Sequence, residues 1–455
     1  DLYSGMGLDQ VALPLQESAL ATRREHLGAE HPETLRSLLA NGVLLRRLDR
    51  LDLAEPYYQE ALDARRRVLG NDAIDTLFSI ANMGMLRQYQ GRLDEAESYY
   101  REALDSSRRV LGPEHPDTLS YANNMGILLR TLGKLDAAEP LARAALAGRR
   151  RVLGDDDPST LQSINSLGAL LRAQGKHAEA ESLLREALDK HRRVLGEDHP
   201  STLMSINNLG AILQDQGKFD EAETYVRDAV ERRRRLFGDD NSATLMSVTN
   251  LANLLRAQGR LAEAERYWRE TLAKQRRVNG NEHPNTLDSI ANLGSLLLDE
   301  GKLDQAEPLL NEAVAGKRRV LGGAHPSTLK ALIALAGLTL IRGRNAKVVE
   351  LLAPAVVLMR KTSSGVIAPQ LGKALITLGR AQAALLQFPA AEMSLIEAQE
   401  ILSKAPGQAS GDRRACMQEL VKLYTNWEAS EPKHGHAANA AEWQHAQDAL
   451  TQIRR

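Results

Sequence analysis

The pair Thr-Leu begins at Thr34, Thr76, Thr118, Thr160, Thr202, Thr244, Thr286 and Thr328, each 42 residues after the last and without an insertion. A period of this length that keeps its register marks a repeat array, in which each unit packs only on its neighbours. Glycine holds the same frame at Gly91, Gly133, Gly175, Gly217, Gly259, Gly301 and Gly343, and again from Gly70 and Gly112 to Gly322; alanine holds it from Ala54 and Ala96 to Ala306. Each stretch of 42 residues is one structural unit, so the 455 residues are counted in repeats and not in domains.

Within a unit the punctuation predicts two helices. From Thr118 to Gly154, His115-Pro116 places a proline at a helix start, Leu119, Ala122, Met125, Gly126 and Leu129 recur at helical spacing, and Gly133 ends the helix where a left-handed residue is needed. This is helix A. Asp136 followed by Glu139 predicts a capping box opening helix B, as do Asp94 with Glu97, Asp220 with Glu223 and Asp304 with Glu307. Gly126, Ala138 and Ala145 are small where the helices must cross, and Leu141, Leu146 and Val152 are expected to fill the rest of the buried face. The frame predicts paired helices from Asp9 to about Met359 and virtually no strand.

The run NLGAILQDQGKFDEAETYVRDAVERRRRLFG, with HPST before it, resembles the 42-residue tetratricopeptide repeats of kinesin light chains and of many bacterial signalling proteins, over roughly residues 8 to 345. The resemblance implies an all-α tetratricopeptide solenoid, a right-handed superhelix of stacked antiparallel helix pairs whose A helices line a concave groove. Residues 1–32 are expected to form a truncated first repeat, with only Asp1 to Met6 ahead of Gly7. Residues 33–345 form the regular array, 346–404 degenerate units around Gly379, Ala391 and Ala398, and 405–455 a capping helical pair interrupted at Ser430 to Gly435. Terminal units that depart from consensus close off the apolar ends of a solenoid. The segments LVKLYTNWE and AAEW resemble the tail that follows such repeats in bacterial serine/threonine kinases.

Composition narrows the function classes. Lysine and arginine number 58 against 59 acidic residues, a formal charge of −1, which suggests neither a nucleic-acid partner nor an acidic tail. Cys416 is the single cysteine, so there is no intrachain disulfide framework, and a small buried apolar role is expected for it. No run of about 18 apolar residues occurs, so no membrane insertion is expected. The start at Asp1, without a signal pattern, reads as a trimmed piece, and a cytoplasmic location is expected. Phosphate-binding loops, GxSxG elbows and HExxH motifs are missing from the sequence, and neither an enzyme nor a cofactor is expected. His31, His115, His199, His283 and His325 each precede a proline at the start of a helix A; Ala73, Asp157 and Asn241 replace histidine in that frame, which suits a cap and not a metal ligand.

Two surfaces remain. An arginine row runs from Arg24 and Arg66 to Arg318, with a second arginine following from Arg67 to Arg319, in the last turns of B, where cations face the carbonyl end of the helix dipole and where nearby Glu could pair with them. On helix A, Asn82, Asn124, Asn208, Asn250 and Asn292 share one position, and Asn123, Asn165 and Asn207 lie one place earlier; Arg130, Arg172 and Arg256 follow about two turns on. An asparagine amide can bond both donor and acceptor of a peptide backbone, and arginine can take a carboxylate through two parallel bonds. These rows predict a groove for a protein or peptide, one with acidic residues. The alternatives are a hydrogen-bond ladder between repeats and, for the whole chain, a homo-oligomer formed through the terminal repeats, where Leu2, Val11 and Leu15 are apolar.

Overall fold

The computed structural model describes every residue except 1–8, 49, 363–367, 405–408, 433 and 453–455. The stub of helix A expected ahead of Gly7 lies outside the described residues. Among those described there are 21 helices and no strand. The chain divides into two compact units, Asp1–Leu170 and Leu171–Arg455. The first holds a B-type helix, Asp9–Leu27, the A/B pairs Pro32–Arg47 with Leu51–Leu69, Ile74–Tyr89 with Leu93–Val110, and Pro116–Thr131 with Leu135–Leu153, and most of the A helix Pro158–Ala173. The second opens on His177–Leu195. It continues with Pro200–Asp215 and Phe219–Phe237, Ser242–Ala257 and Leu261–Asn279, Pro284–Asp299 and Leu303–Leu321, and Pro326–Ile341 and Asn345–Thr362. Helix pairs outside the 42-residue frame follow, Ala368–Ala384 with Phe388–Lys404 and then Ala409–Ser430 with His436–Gln452. Within each unit every A helix packs on its own B, and every B on the next A, which is the solenoid arrangement.

Helix A starts where a side chain can replace a missing backbone partner. His115 sits in extended backbone at φ −64, ψ 138, and its Nδ1 accepts the Asp117 N–H at 3.2 Å. His31, His199, His283 and His325 do the same for Glu33, Ser201, Asn285 and Ser327. The Asp157 carboxylate and the Asn241 amide oxygen take over at 2.7 and 2.9 Å, while Ala73 makes no side-chain cap. Each imidazole thereby satisfies one of the backbone N–H groups left without a partner at the helix start. The helix ends at a glycine such as Gly133, φ 75, after which the Lys134 N–H reaches back to the Leu129 carbonyl at 2.8 Å.

Helix B departs from expectation. Its N-cap is Lys134, which makes no side-chain cap bond, and Asp136 lies inside the first turn. The carboxylate there favours the positive helix end without capping it. Glu139 accepts from Arg143 at 3.0 Å instead of closing a capping box.

The A/B crossing follows the small residues. A Cβ added at Gly210 would lie 2.6 Å from Val226 Cγ2, and one at Gly294 2.9 Å from Leu310; Ala138 and Ala222 are fully buried. On Pro200–Asp215, Leu203, Ile206, Leu209, Ile212 and Leu213 are all fully buried, each contributing about 1.5–3 kcal/mol. Helix B corrects one sequence expectation. Val152 is 44% exposed, whereas Arg149, 3% exposed, is buried three residues earlier. The recurring threonine ties helix A to the preceding loop, because Thr34, Thr202 and Thr328 donate to the carbonyls of Gly28, Gly196 and Gly322.

Candidate functional site

The two asparagine rows separate in depth. Asn123, Asn165 and Asn207 are buried; Asn124, Asn208, Asn250 and Asn292 are half-buried, and Asn82 is buried with its amide given to the Phe78 carbonyl at 2.8 Å. The deeper row joins repeats: Asn123 Oδ1 accepts from Ser163 Oγ at 3.4 Å and Asn207 Nδ2 donates to Ser247 Oγ at 3.0 Å. Both contacts span 40 residues of sequence, one unit less two positions. Of the arginines, Arg172 binds Asp215 and Arg256 binds Asp299, each an acid 43 residues on, at the end of the next helix A. Arg130 is half-buried.

The same serines meet a row that sequence reasoning missed. Arg233 donates to the Ala243 carbonyl at 2.9 Å and to Ser247 at 2.7 Å; Arg149 reaches Ser159 O, Ser163 and Ser120 at 2.7, 2.8 and 2.9 Å; Arg65 reaches Asp75 O and Ser79 at 2.7 and 3.0 Å. His191 Nδ1 lies 2.9 Å from Ser205 Oγ in the equivalent place, and Ser107, Gln275 and Lys317 complete the row. Burial holds the Arg65, Arg149 and Arg233 guanidiniums below their usual affinity for a proton, and among the described residues none of the three is in an ion pair. The signal was present as a polar residue immediately before each double arginine, in frame.

A third row behaves differently. Two places after the threonine of each unit stand Arg36, Phe78, Ser120, Gln162, Met204, Met246, Asp288 and Lys330, a position without a consensus. Phe78, Met204 and Met246 are 50%, 39% and 51% exposed. In the first unit Arg36 and Phe78 line a hollow of about 290 Å³ with Ala40 and Arg65. In the second, Met246, Asp288 and Lys330 line one of about 790 Å³ with Asn285, Asn292 and Lys317.

The outer arginine row is laced internally. Arg66 binds Glu102 at 2.6 Å and Arg276 binds Glu312 at 2.7 Å, each one repeat forward; Arg67, Arg235 and Arg277 turn back to Glu30, Asp198 and Asp240. Among the described residues no group of three or more His, Cys, Asp or Glu could hold a metal ion, and no helix is long and apolar enough to cross a membrane. Cys416 is buried and its thiol, donating to the Leu395 carbonyl at 3.2 Å, is pushed up to about 12 by desolvation.

A stack of A/B pairs with this punctuation defines a helical repeat scaffold. The tetratricopeptide repeat family matches residues 1–67, 38–104, 75–151, 132–193, 159–235, 202–253, 241–319 and 288–356, and the chain belongs to that family. The matches end at residue 356, and nothing found bears out a kinase-type tail. A comparison with curated proteins returns no match. Among solved structures, the chain is similar to a kinesin-light-chain-type protein of Podospora anserina with nearly identical tetratricopeptide-like repeats, at 26% identity over 45% of this chain and 98% of that one, TM-score 0.38. A Rap protein complexed with competence and sporulation factor shares 14% identity over 84% of this chain and 100% of its own, TM-score 0.55. The human IFIT1 dimer with m7Gppp-AAAA shares 16% over 96% and 94%, TM-score 0.53. The last two likenesses concern the fold.

Proposed function

We propose that this chain is a non-catalytic scaffold that holds a segment of a partner protein along the faces of its A helices. The observation that carries the reading is the half-open row Asn124, Asn208, Asn250 and Asn292, in register with an exposed row that does not repeat. Polar amides at a fixed spacing suit a peptide backbone, and a changing row beside them suits side chains that differ. Asn82 and the arginines Arg130, Arg172 and Arg256 border the same faces, and the deeper Asn123, Asn165 and Asn207 keep the helices in register. An acidic partner competes with Asp215 and Asp299 for Arg172 and Arg256, and its retention should weaken as salt rises. In a larger cytoplasmic signalling protein of bacterial type, this would be the docking part.

The test replaces Asn208, Asn250 and Asn292 together by alanine and compares partners retained from the source organism with those retained by a control changed at Arg66 and Arg276. Loss with the asparagine variant alone, at an unchanged helical signal, is the expected outcome. Loss with the arginine control alone would move the binding surface to the outer row. A second reading, self-association, draws on Val11 and Leu15, which are 49% and 54% exposed on the first described helix. Light scattering would favour it if an oligomer of the chain dissociates when both become aspartate.

A further inference from the structure

Two joints of the second unit show how a helix B is tied to the next helix A. Ahead of Ser242–Ala257, Arg233 donates to Ser247 and to the Ala243 carbonyl, and Asn207 adds a bond to the same serine. Ahead of Pro326–Ile341, Lys317 donates to Ser327 at 2.6 Å and also binds Asp288. The joint between these two, from Leu261–Asn279 to Pro284–Asp299, has neither tie. Gln275 stands in the place of Arg233 but makes no hydrogen bond to Ser289 among the described residues. Thr249 stands in the place of Asn207, and its hydroxyl turns to the Leu245 carbonyl of its own helix at 3.0 Å. Ser289, buried as the counterpart of Ser247, is reached by neither.

The same helix B carries a line of buried polar atoms. Trp268 Nε1, Thr271 Oγ1 and Gln275 Oε1 have no hydrogen-bond partner among the described residues, and all three side chains are buried. At spacings of three and four residues they share one face of the helix. Thr271 departs from the frame, in which Ala61, Ala103, Ala145, Ala187, Ala229 and Ala313 are all fully buried. A buried donor or acceptor without a partner raises the free energy of the closed state, and opening to water relieves it. The ion pairs that span this joint lie toward the surface: Arg276 with Glu312, Lys302 with Glu265 and Arg256 with Asp299. Solvent screens such pairs, and salt weakens them further.

We propose that this joint is a hinge: Leu261–Asn279 and Pro284–Asp299 part before the joints on either side of them, and the hollow of the second unit widens as they do. That hollow, of about 790 Å³, takes its lining from both sides, Met246 and Thr249 ahead of the joint and Asn285, Asn292 and Lys330 beyond it, with Gln275 at the joint itself. One joint therefore sets the width of this part of the A-helix surface, and salt favours the open form. The inference concerns motion within the second unit and stands apart from what the hollow holds.

Amide hydrogen exchange of the full chain, read by mass spectrometry and corrected for intrinsic rates, tests the hinge. Residues 266–290 should exchange faster than the frame-equivalent segments 224–248 and 308–332, and the excess should grow as salt rises. Gln275→Arg supplies the donor that Arg233 provides one repeat earlier. It should slow exchange over 266–290 by about tenfold or more and leave both flanking segments as they were, because a bond from a charged donor then has to break for the joint to open. Thr271→Ala removes a hydroxyl without a partner and adds no bond, so it should slow the same segment by a smaller factor. Circular dichroism checks that each variant keeps its helices. Equal protection of the three segments in wild type overturns the hinge. The same holds if both variants, folded, leave 266–290 unchanged, or if they slow all three segments alike.

Discussion

The ends of the B helices and the row two residues past each threonine obey opposite rules. At the B ends the sequence repeats and the bonds close within the protein: Arg233 on Ser247, Arg234 on Glu270 and Arg235 on Asp198, three adjacent arginines sent to three partners by the rotation of the helix. On the A helices the sequence changes from Met204 and Met246 to Asp288 and Lys330, and the side chains stay exposed. Repetition at the exposed B ends serves an equivalent neighbour in the adjoining repeat, whereas the exposed row on the A helices varies, with Ser120 and Asp288 alone in it held by Arg149 and Lys317 among the bonds named above. The binding surface is therefore sought where the repeat fails.

The strongest way to break this contrast is to remove a buried cation. Arg233→Ala leaves the Ala243 carbonyl and Ser247 without their charged donor, and should cost about 2–3 kcal/mol. Met246→Ala, on the exposed row, should stay within about 0.5 kcal/mol. Urea unfolding of both variants decides it: similar losses would mean that the non-repeating row is structural after all.

How much of this could be read beforehand follows from the same rule. The 42-residue frame exposed helices A and B, and the His-Pro pairs exposed the caps, because each feature recurs. The capping box at Asp136 and Glu139 did not form, since an acid in the first turn and an acid at the cap look alike in sequence, and the glycine turn delivers Lys134 to the cap. Arg149 escapes a reading by hydrophobicity, which does not select an arginine, although Ala142, Ala145 and Arg149 share one helical stripe. Val152 continues that stripe by spacing but lies too near the helix end to be covered. The asparagine rows were visible, but their division into a buried ladder and a half-open row depends on packing. Lys330 was invisible to a search for repeats.

A smaller effect sharpens the comparison within the buried row itself, where His191 stands in the place of Arg149 and Arg233. Burial lowers its affinity for a proton below the ordinary histidine value, with His199 nearby adding to the effect. The unfolded chain then binds the proton more readily, so this contribution to stability is complete above the ordinary histidine range and is lost as pH falls through and below it. Replacement by glutamine, which fills the same place at position 275, should flatten that part of the pH profile. Melting temperatures of wild type and His191→Gln between about pH 7.5 and 5.5, spanning the ordinary histidine range, should diverge in favour of the variant on the acid side. Parallel curves would show that folding does not change the proton affinity of His191.

The smallest expected effect lies one residue past Gln275, at the end of the helix Leu261–Asn279. Arg276 is 37% exposed and its partner Glu312 40%, with a 2.7 Å contact between them. Exposed pairs of this kind contribute about 0.2–1 kcal/mol, because solvent screens the attraction and two long side chains lose freedom. Arg276→Ala should therefore cost less than about 1 kcal/mol, and the loss should shrink in high salt. The partner separates the two explanations for periodic cations: if Arg276 served mainly the helix dipole, Glu312→Ala would leave stability unchanged, whereas an ion-pair role makes the two single changes nearly equal and their combination no worse than either. A double-mutant cycle on Arg276 and Glu312, followed by urea unfolding at low and high salt, measures that coupling. A coupling of zero would return the outer row to the dipole alone and leave the buried row as the only part of the B-helix end that joins one repeat to the next.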